Sequence, residues 1–453
     1  MSSSYDVRIW KTEIYKGVKR TTYYVRWKVA GKPFRKGHTT SALADSFRAE
    51  LVTSARKGEA FDTDTGLPVA MRRDERSEIS WYDFACSFVD MKWPRVAATT
   101  RRTHAEALTT VTVAMLSGTR GKPDGKLIRK ALTRWGFNAV ARNDSGTPGE
   151  VTAALRWVRD NTRPVSSLAD AEILRPVLDA LTVKLDGKAA APSVVSRKRK
   201  IFHSAVGYAV ERKLLGENPI PALKWTAPKT VHTIDRRSVV NPIQARTLLE
   251  EVKRQKPHLV AFFGCLYYAG LRPEEAVCLS KTDAVLPADD GWGDLLLHRA
   301  EPYAGREWTD SGESRDRRQL KQRALGEVRV VPSPPPLTAL LRWHIGRFGT
   351  APDGRLFVGE RNRSQLPKLT IVRTWQRARQ AVFTNEVAAS PLARTPYDLR
   401  HAAVSTQLNA GVSPKTVADR AGHSLEILLR IYAQCMDGQD ATVRRLVETA
   451  LGY

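Results

Sequence analysis

Residues 395–435 read TPYDLRHAAVSTQLNAGVSPKTVADRAGHSLEILLRIYAQC, and they set the architecture expected of the C-terminal half of the chain. Apolar residues recur at helical spacing: Leu399, Ala403 and Val404, then Leu408, then Val417 and Ala421, then Leu425, Leu428 and Leu429. Two turn pieces interrupt them, Gly411-Val412-Ser413-Pro414 and Ala421-Gly422-His423. The pattern predicts short helices. On that scaffold sit Arg400 and His401, then His423, then Tyr432, a set able to surround one anion.

Upstream, an apolar helix (Leu259, Phe262, Phe263, Leu266) ends at Gly270, and Arg272 precedes a new helix opened by Pro273 and two glutamates. An arginine beside a helix start is placed to bind a phosphate through paired charged hydrogen bonds. Its plainer alternative is a helix-end ion pair with Glu275. Strands are expected at 294–300 and 328–331, with a third over Arg317-Arg318-Gln319-Leu320-Lys321. Lys321 then stands at the lip of a hairpin turn, where its ammonium can reach a leaving oxygen as proton donor, its plainer alternative being an ordinary solvated hairpin lysine. The insert 301–316, EPYAGREWTDSGESRD, reads as an exposed charged loop.

With 453 residues, 42% hydrophobic and 26% charged, the chain can fill two or three cores. A formal net charge of +26 opposes compaction and calls for a polyanionic partner, with nucleic acid ahead of an anionic membrane surface. No apolar run approaches 18 residues, and the N-terminus lacks the apolar core of a secretory signal. Cys86, Cys265, Cys278 and Cys435 form no CxxC pair, and no DxD or HExxH cluster is present, so neither disulfides, a metal nor another cofactor is expected. A cytoplasmic, nucleoid-associated location fits.

The expected domains are a basic β-sheet domain at 1–65, a linker at 66–78, a helical domain at 79–225, a linker at 226–240 and an α+β domain at 241–453. In the first, Val7, Ile9, Tyr23, Val25, Trp27 and Val29 alternate with polar neighbours and predict three strands; Ser41 is the expected cap of a following helix. Arg8, Lys28 and Arg35 are its candidate DNA contacts. In the second, Trp81, Phe84, Ala85, Phe88 and Val89 form a helix face, and Arg197, Lys198, Arg199 and Lys200 are candidate phosphate contacts. In the third, Asn241 and Pro242 signal a helix start.

Taken together, GLRPEE with Arg272, LKQRALGEVRVVP with Lys321, YDLRH with Arg400, AGHS with His423, and Tyr432 resemble the tyrosine recombinase (phage integrase) family. Their order matches, as do the intervals 423 − 400 = 23 and 432 − 423 = 9. The match spans roughly residues 240–440. The resemblance implies a mainly α multidomain protein with small sheets: an arm-type DNA-binding domain, a core-binding domain and a catalytic domain. It also implies a site-specific integrase of a phage or mobile element, acting as a homotetramer on double-stranded attachment sites, with or without a directionality factor or DNA-bending host protein. Tyr432 would be the nucleophile, forming a 3′-phosphotyrosyl link and a free 5′-hydroxyl; Arg272 and Arg400 would clamp the phosphate, Lys321 would be the acid, and His423 would donate to the phosphate or assist Tyr432. Glu275 would orient Arg272. The chain departs from the family at Tyr397, where a histidine is usual, so that position is assigned phosphate contact or support. His401 is expected as a buried orienting histidine. The final helix, 441–451, would dock on a neighbouring protomer or complete its own core. A type IB topoisomerase-like enzyme and a non-catalytic DNA-binding regulator are the competing expectations.

Overall fold

The computed structural model describes residues 3–17, 21–69, 71, 79–184, 186–230, 233–321, 326–360, 363–432 and 440–452, with backbone only for 440–443. Parts of both expected linkers (72–78 and 231–232), of the Lys321 hairpin turn (322–325), and Cys435 lie outside the described residues. The chain divides into two compact units, Met1–Arg95 with Thr103–Pro228, and Val96–Arg102 with Lys229–Tyr453. Among the described residues no helix is long and apolar enough to cross a membrane.

Apart from a two-residue antiparallel ladder between Ser3–Ser4 and Phe61–Asp62, the first unit starts with β1 (Val7–Ile9), β2 (Glu13–Lys16), β3 (Thr21–Val29), β4 (Lys32–His38) and α1 (Ser41–Arg56). All pairing is antiparallel: β3 is central, with β4 on one edge and β2 followed by β1 on the other. Four strands thus stand where three were expected, because the first edge strand is interrupted after Ile9; the Trp10 N–H still reaches the Arg26 carbonyl at 3.0 Å. In β3, Val25, Trp27 and Val29 are buried while Arg26 and Lys28 are exposed, the period-2 pattern of a half-covered sheet. Arg8 pairs with Lys28 and Arg26 with Arg35, so these four cations share the outer face. Ala44, Phe47 and Leu51 of α1 bury the inner one. Thr40, not Ser41, caps α1; Ser41 bonds Asp45 instead. Leu67, from the expected linker, packs into this core.

The helical part comprises α2 (Trp81–Lys92), α3 (Ala98–Ala114), α4 (Gly125–Ala131), α5 (Gly149–Asp160), α6 (Ala171–Ala180) and α7 (Pro192–Glu211). The face Trp81, Phe84, Ala85, Phe88 and Val89 is buried, and Trp81 meets Phe202 of α7 edge-on at 5.7 Å.

The second unit begins with α8 (Pro242–Gln255), whose Asn241 cap forms a reciprocal capping box with Gln244. Next come α9 (Pro257–Tyr268), α10 (Pro273–Ala276), β5 (Ala284–Val285), β6 (Gly293–Leu297), β7 (Arg299–Ala300), β8 (Arg318–Gln319) and β9 (Arg329–Ser333). β6 lies between β9 and β5, and β7 pairs with β8 in a separate ladder, all antiparallel. The rest is helical: α11 (Pro335–Phe348), α12 (Lys368–Val382), α13 (Asn385–Ala389), α14 (Asp398–Asn409), α15 (Pro414–Ala421), α16 (Leu425–Tyr432) and α17 (Asp440–Leu451). α9 is apolar all round and buried, and α8, α11 and α14 pack on it.

The insert 301–316 is not the exposed loop its charge suggested. Ala304, Trp308 and Arg315 are buried, and the Arg315 guanidinium donates to the Glu301 and Leu366 carbonyls at 3.0 and 2.9 Å. Backbone bonding thus lets an arginine enter the core.

Trp375 is fully buried, stacks on Phe263 at 5.2 Å and donates to the Ala393 carbonyl at 2.7 Å. Trp375→Ala should cost about 3–5 kcal/mol in denaturant unfolding of the second unit. Trp292→Ala, at a side chain 64% exposed, should stay within about 0.5 kcal/mol.

Candidate active site

Two left-handed glycines frame the site. Gly270 follows α9 with φ +62°, and Gly422 ends α15 with φ +63°. Helix C-termini leave carbonyls without helical partners, and here arginines take them. Arg400, on α14 and fully buried, donates Nη1 to the Gly270 carbonyl and Nη2 to the Ala421 carbonyl. Arg272 donates Nη2 to the Gly422 carbonyl at 2.8 Å. One turn, 421–423, therefore fixes both arginines relative to each other.

Glu275 ties in a third. Its Oε1 accepts from Arg272 Nη1 at 2.7 Å, and its Oε2 from Arg329 Nη2 at 2.7 Å and from the Arg272 backbone at 2.8 Å. Burial alone would raise the pKa of this carboxyl; the Arg329 and Arg272 guanidiniums outweigh it and lower the value to about 2. Burial works against the charge on Arg272 as well, but Glu275 raises its pKa. For Arg400 burial dominates, and Arg272 adds repulsion, so its pKa falls below the ordinary guanidinium value. A side chain at Gly422 would run into Arg329 and lie 3.3 Å from Arg272 Nη1. Glycine is needed there for space and for φ.

Arg329 was not among the residues singled out in the sequence. The signal was present: in β9 the alternation puts Arg329 on the inward side with Val331, and a buried cation needs a partner.

His423 follows the turn. Arg400 Nη2 donates to its Nε2 at 2.9 Å, which fixes the ring proton on Nδ1. That Nδ1 is buried with no partner among the described residues, as are Nε of Arg400 and Nε of Arg329. Burial, then Arg400, Arg272 and Arg329, lower the His423 pKa to about 3, so the ring is neutral near pH 7.

Tyr432 is fully buried at the end of α16, packed with Val404, Leu408, Val417 and Leu428. Its hydroxyl lies 2.9 Å from Nδ1 of His401. Its ring is 6.2 Å from that of His423. His401, half-buried rather than buried as expected, is thus in direct contact with the phenol. Tyr397 packs at 5.0 Å against the His401 ring, with the Arg400 guanidinium 6.0 Å from its own, and lines an open cavity of about 640 Å³ with Tyr303, Arg315, Lys368 and Arg394. Arg272, Glu275, Tyr397, Arg400, His401, His423 and Tyr432 form one connected cluster. Lys321 stands exposed just past β8, and among the described residues no hydrogen bond or ion pair joins it to that cluster.

The candidate DNA contacts belong to the first unit. Arg8, Lys28 and Arg35 are exposed on the outer face of the N-terminal sheet, with Arg35 4.2 Å over the Tyr24 ring. On α7, Arg197 and Lys200 are exposed, Lys198 is half-buried on the Thr110 hydroxyl at 3.2 Å, and Arg199 lies 5.9 Å from the Trp225 ring.

No family model matches the chain, and no curated relative matches it. Among solved structures, the chain is similar to a Tn1549 transposon integrase in complex with a circular intermediate DNA, with a TM-score of 0.49, 16% identity, and 71% of this chain and 98% of that one covered. It is also similar to a lambda integrase dimer bound to a COC′ core site (TM-score 0.48, 14% identity, 94% and 95% covered). A third is a XerH site-specific recombinase bound to a palindromic difH substrate (0.42, 12%, 78% and 97%). What the site can do is read from its own side chains.

Among the described residues of the cluster, two buried arginines, Arg329 and Arg400, and the half-buried Arg272 face one buried carboxylate, a surplus of two positive charges, beside N–H groups with no partner among those residues. Such an arrangement can hold an anion without reorganising. Because the folded-state pKa of Glu275 is depressed, its stabilisation is fully present above the ordinary carboxylate range and is lost as pH falls through about 2. Glu275→Gln should destabilise the fold by roughly 3–5 kcal/mol near pH 7. In acid titration of denaturant midpoints, the gap between the two proteins should close as the pH approaches 2.

Proposed function

We propose that the protein is a site-specific tyrosine recombinase that cuts and rejoins double-stranded DNA through Tyr432. The observation that carries this reading is the pair Arg272 and Arg400, locked on the 421–423 turn with His423, beside a tyrosine whose hydroxyl is already hydrogen-bonded to a histidine. A phosphodiester brings one negative charge and gains more as phosphorus is attacked. Preorganised guanidiniums lower that barrier without reorganising. Nδ1–H of His423, which has no partner among the described residues, would donate to a non-bridging oxygen. Tyr432 Oη would bond to phosphorus while the bond to the 5′ oxygen breaks, leaving a 3′-phosphotyrosine and a 5′-hydroxyl. Lys321, exposed beside its hairpin, would protonate the leaving oxygen once DNA brings them together. The covalent link conserves the bond energy, so rejoining needs no ATP, and the arginines would supply the charge stabilisation for which other phosphoryl-transfer sites use a metal.

In this reading the sheet at 1–65 binds DNA at distant arm-type sites through its outer cations, the helical region at 79–225 binds the core site through Arg197 and its neighbours, and 241–453 is catalytic, with linkers at 66–78 and 226–240. The enzyme works as a homotetramer in the cytoplasm, integrating a phage or mobile element and excising it where a directionality factor or DNA-bending host protein assists. Leu446, Val447 and Leu451 of α17 are 57%, 48% and 64% exposed, an apolar face suited to a neighbouring protomer.

The test starts from duplexes selected for binding out of a random-sequence pool, then nicked at successive positions so that cleavage releases a short strand and traps the adduct. The native chain should become covalently joined to DNA, with the link on Tyr432. Tyr432→Phe should bind equally and never be trapped; an adduct on that variant rejects the assignment. Arg272→Ala or Arg400→Ala should slow trapping by about 10²–10³-fold.

Replacing Arg8, Lys28 and Arg35 together by alanine should flatten the salt dependence of DNA binding. The slope of log K against log salt should shrink by about 2–3, roughly 0.9 for each phosphate no longer neutralised. An unchanged slope would remove these residues from the interface.

A further inference from the structure

A phenol attacks phosphorus poorly until its proton has somewhere to go, and with His423 donating to the phosphate that proton has no acceptor assigned. Within the cluster most groups are already committed. The Nε2 lone pair of His423 is taken by Arg400, and its Nδ1 carries a proton. Both oxygens of Glu275 are held by Arg272 and Arg329. Tyr397 has no basic nitrogen. Arginine does not accept protons in proteins.

His401 is different. Its Nδ1 lies 2.9 Å from the Tyr432 hydroxyl, within reach for direct proton transfer. Resting on Tyr432 as nucleophile, we propose that His401 is the general base that takes the phenolic proton during cleavage and returns it during religation. The Oη–H bond breaks toward Nδ1, and the freed oxygen pair bonds phosphorus. The bond from phosphorus to the 5′ oxygen breaks with its pair going to that oxygen, which Lys321 protonates. Charges and protons balance with no further reactant.

The surroundings suit the task. Tyr397 packs on one side of the imidazole, four residues earlier on the same helix face, and Tyr432 comes from α16. Arg400, from α14, is the neighbouring fixed charge, and the His423 ring lies 6.2 Å from that of Tyr432. Burial first, and Arg400 second, lower the His401 pKa to about 4, so the ring is neutral and able to accept at pH 7. A phosphodiester bound at Arg400 would offset the charge that depresses it. The base therefore strengthens when substrate arrives.

The experiment uses the full chain and the selected, nicked duplexes. His401→Ala and His401→Gln should bind DNA as the native protein does and slow adduct formation by about 10²–10⁴-fold. Gln keeps a hydrogen-bond partner for the phenol but is no base, so a Gln variant at the native rate would reduce His401 to positioning and overturn the proposal. Added imidazole should partly restore the Ala variant. The native rate should fall at acid pH as His401 is protonated, and that limb should be missing from both variants. A duplex with sulfur in place of the leaving 5′ oxygen needs no acid; it should rescue Lys321→Ala and leave His401→Ala slow, and rescue of both would also overturn the proposal. Should Ala disturb folding, the Gln variant and the sulfur duplex decide. A native chain that forms no adduct at all is a separate failure, that of Tyr432 as nucleophile, and the base falls with it.

Discussion

The Glu275 carboxylate is the contact on which the site depends. It is 1% exposed, and a lone buried charge there would be very costly. Two guanidiniums, from α10's own cap and from β9, make it tolerable, and it in turn makes their burial tolerable. The sharing is unequal by design: one carboxylate cannot neutralise Arg272, Arg329 and Arg400. Helix-end carbonyls take up part of the remainder, since the C-termini of α9 and α15 carry partial negative charge as well as orphan acceptors. The rest of the positive charge stays for a ligand.

What remains unpaired has a chemical identity. Nε of Arg329, Nε of Arg400 and Nδ1 of His423 are donors with no partner among the described residues, and a buried donor left without one costs about 1–3 kcal/mol. A fold seldom retains such groups together unless an acceptor visits. The acceptor must be anionic, since the flanking charges are positive, and must tolerate several donors at once; a phosphodiester's non-bridging oxygens do. The +26 charge of the chain and the outer cations of the N-terminal sheet point to the same class of ligand at longer range.

Much of this could be read before any coordinates. The apolar face of α2, the alternation of β3 and the Asn241 cap follow from periodicities of 3.6 and 2 and from capping chemistry, all local properties. Non-local facts were not legible. Nothing near Arg315 in sequence shows that its guanidinium will find the Leu366 carbonyl, so a charged insert read as exposed turned out to be packed. Arg329 sat in a strand-like run whose inward parity was visible, but its partner Glu275 is 54 residues away. Thr40 and Ser41 both make good caps, and only the backbone decides between them.

His401 lies between these cases. It begins the stripe His401, Val404, Leu408 on α14, at spacings of three and four, and the same stripe packs against Leu428 and Tyr432 of α16. Arg400, one residue earlier, is turned about 100° away and faces the two glycine-capped helix ends. Consecutive residues on one helix thus serve two sides of the same site: the arginine holds the anion's place, and the histidine meets the tyrosine. A helix places two such side chains at a fixed angle with no loop to adjust. In the proposed reaction, a phosphate held at Arg400 would be felt electrostatically at the adjacent His401, which would couple the substrate's charge to the proton on Tyr432.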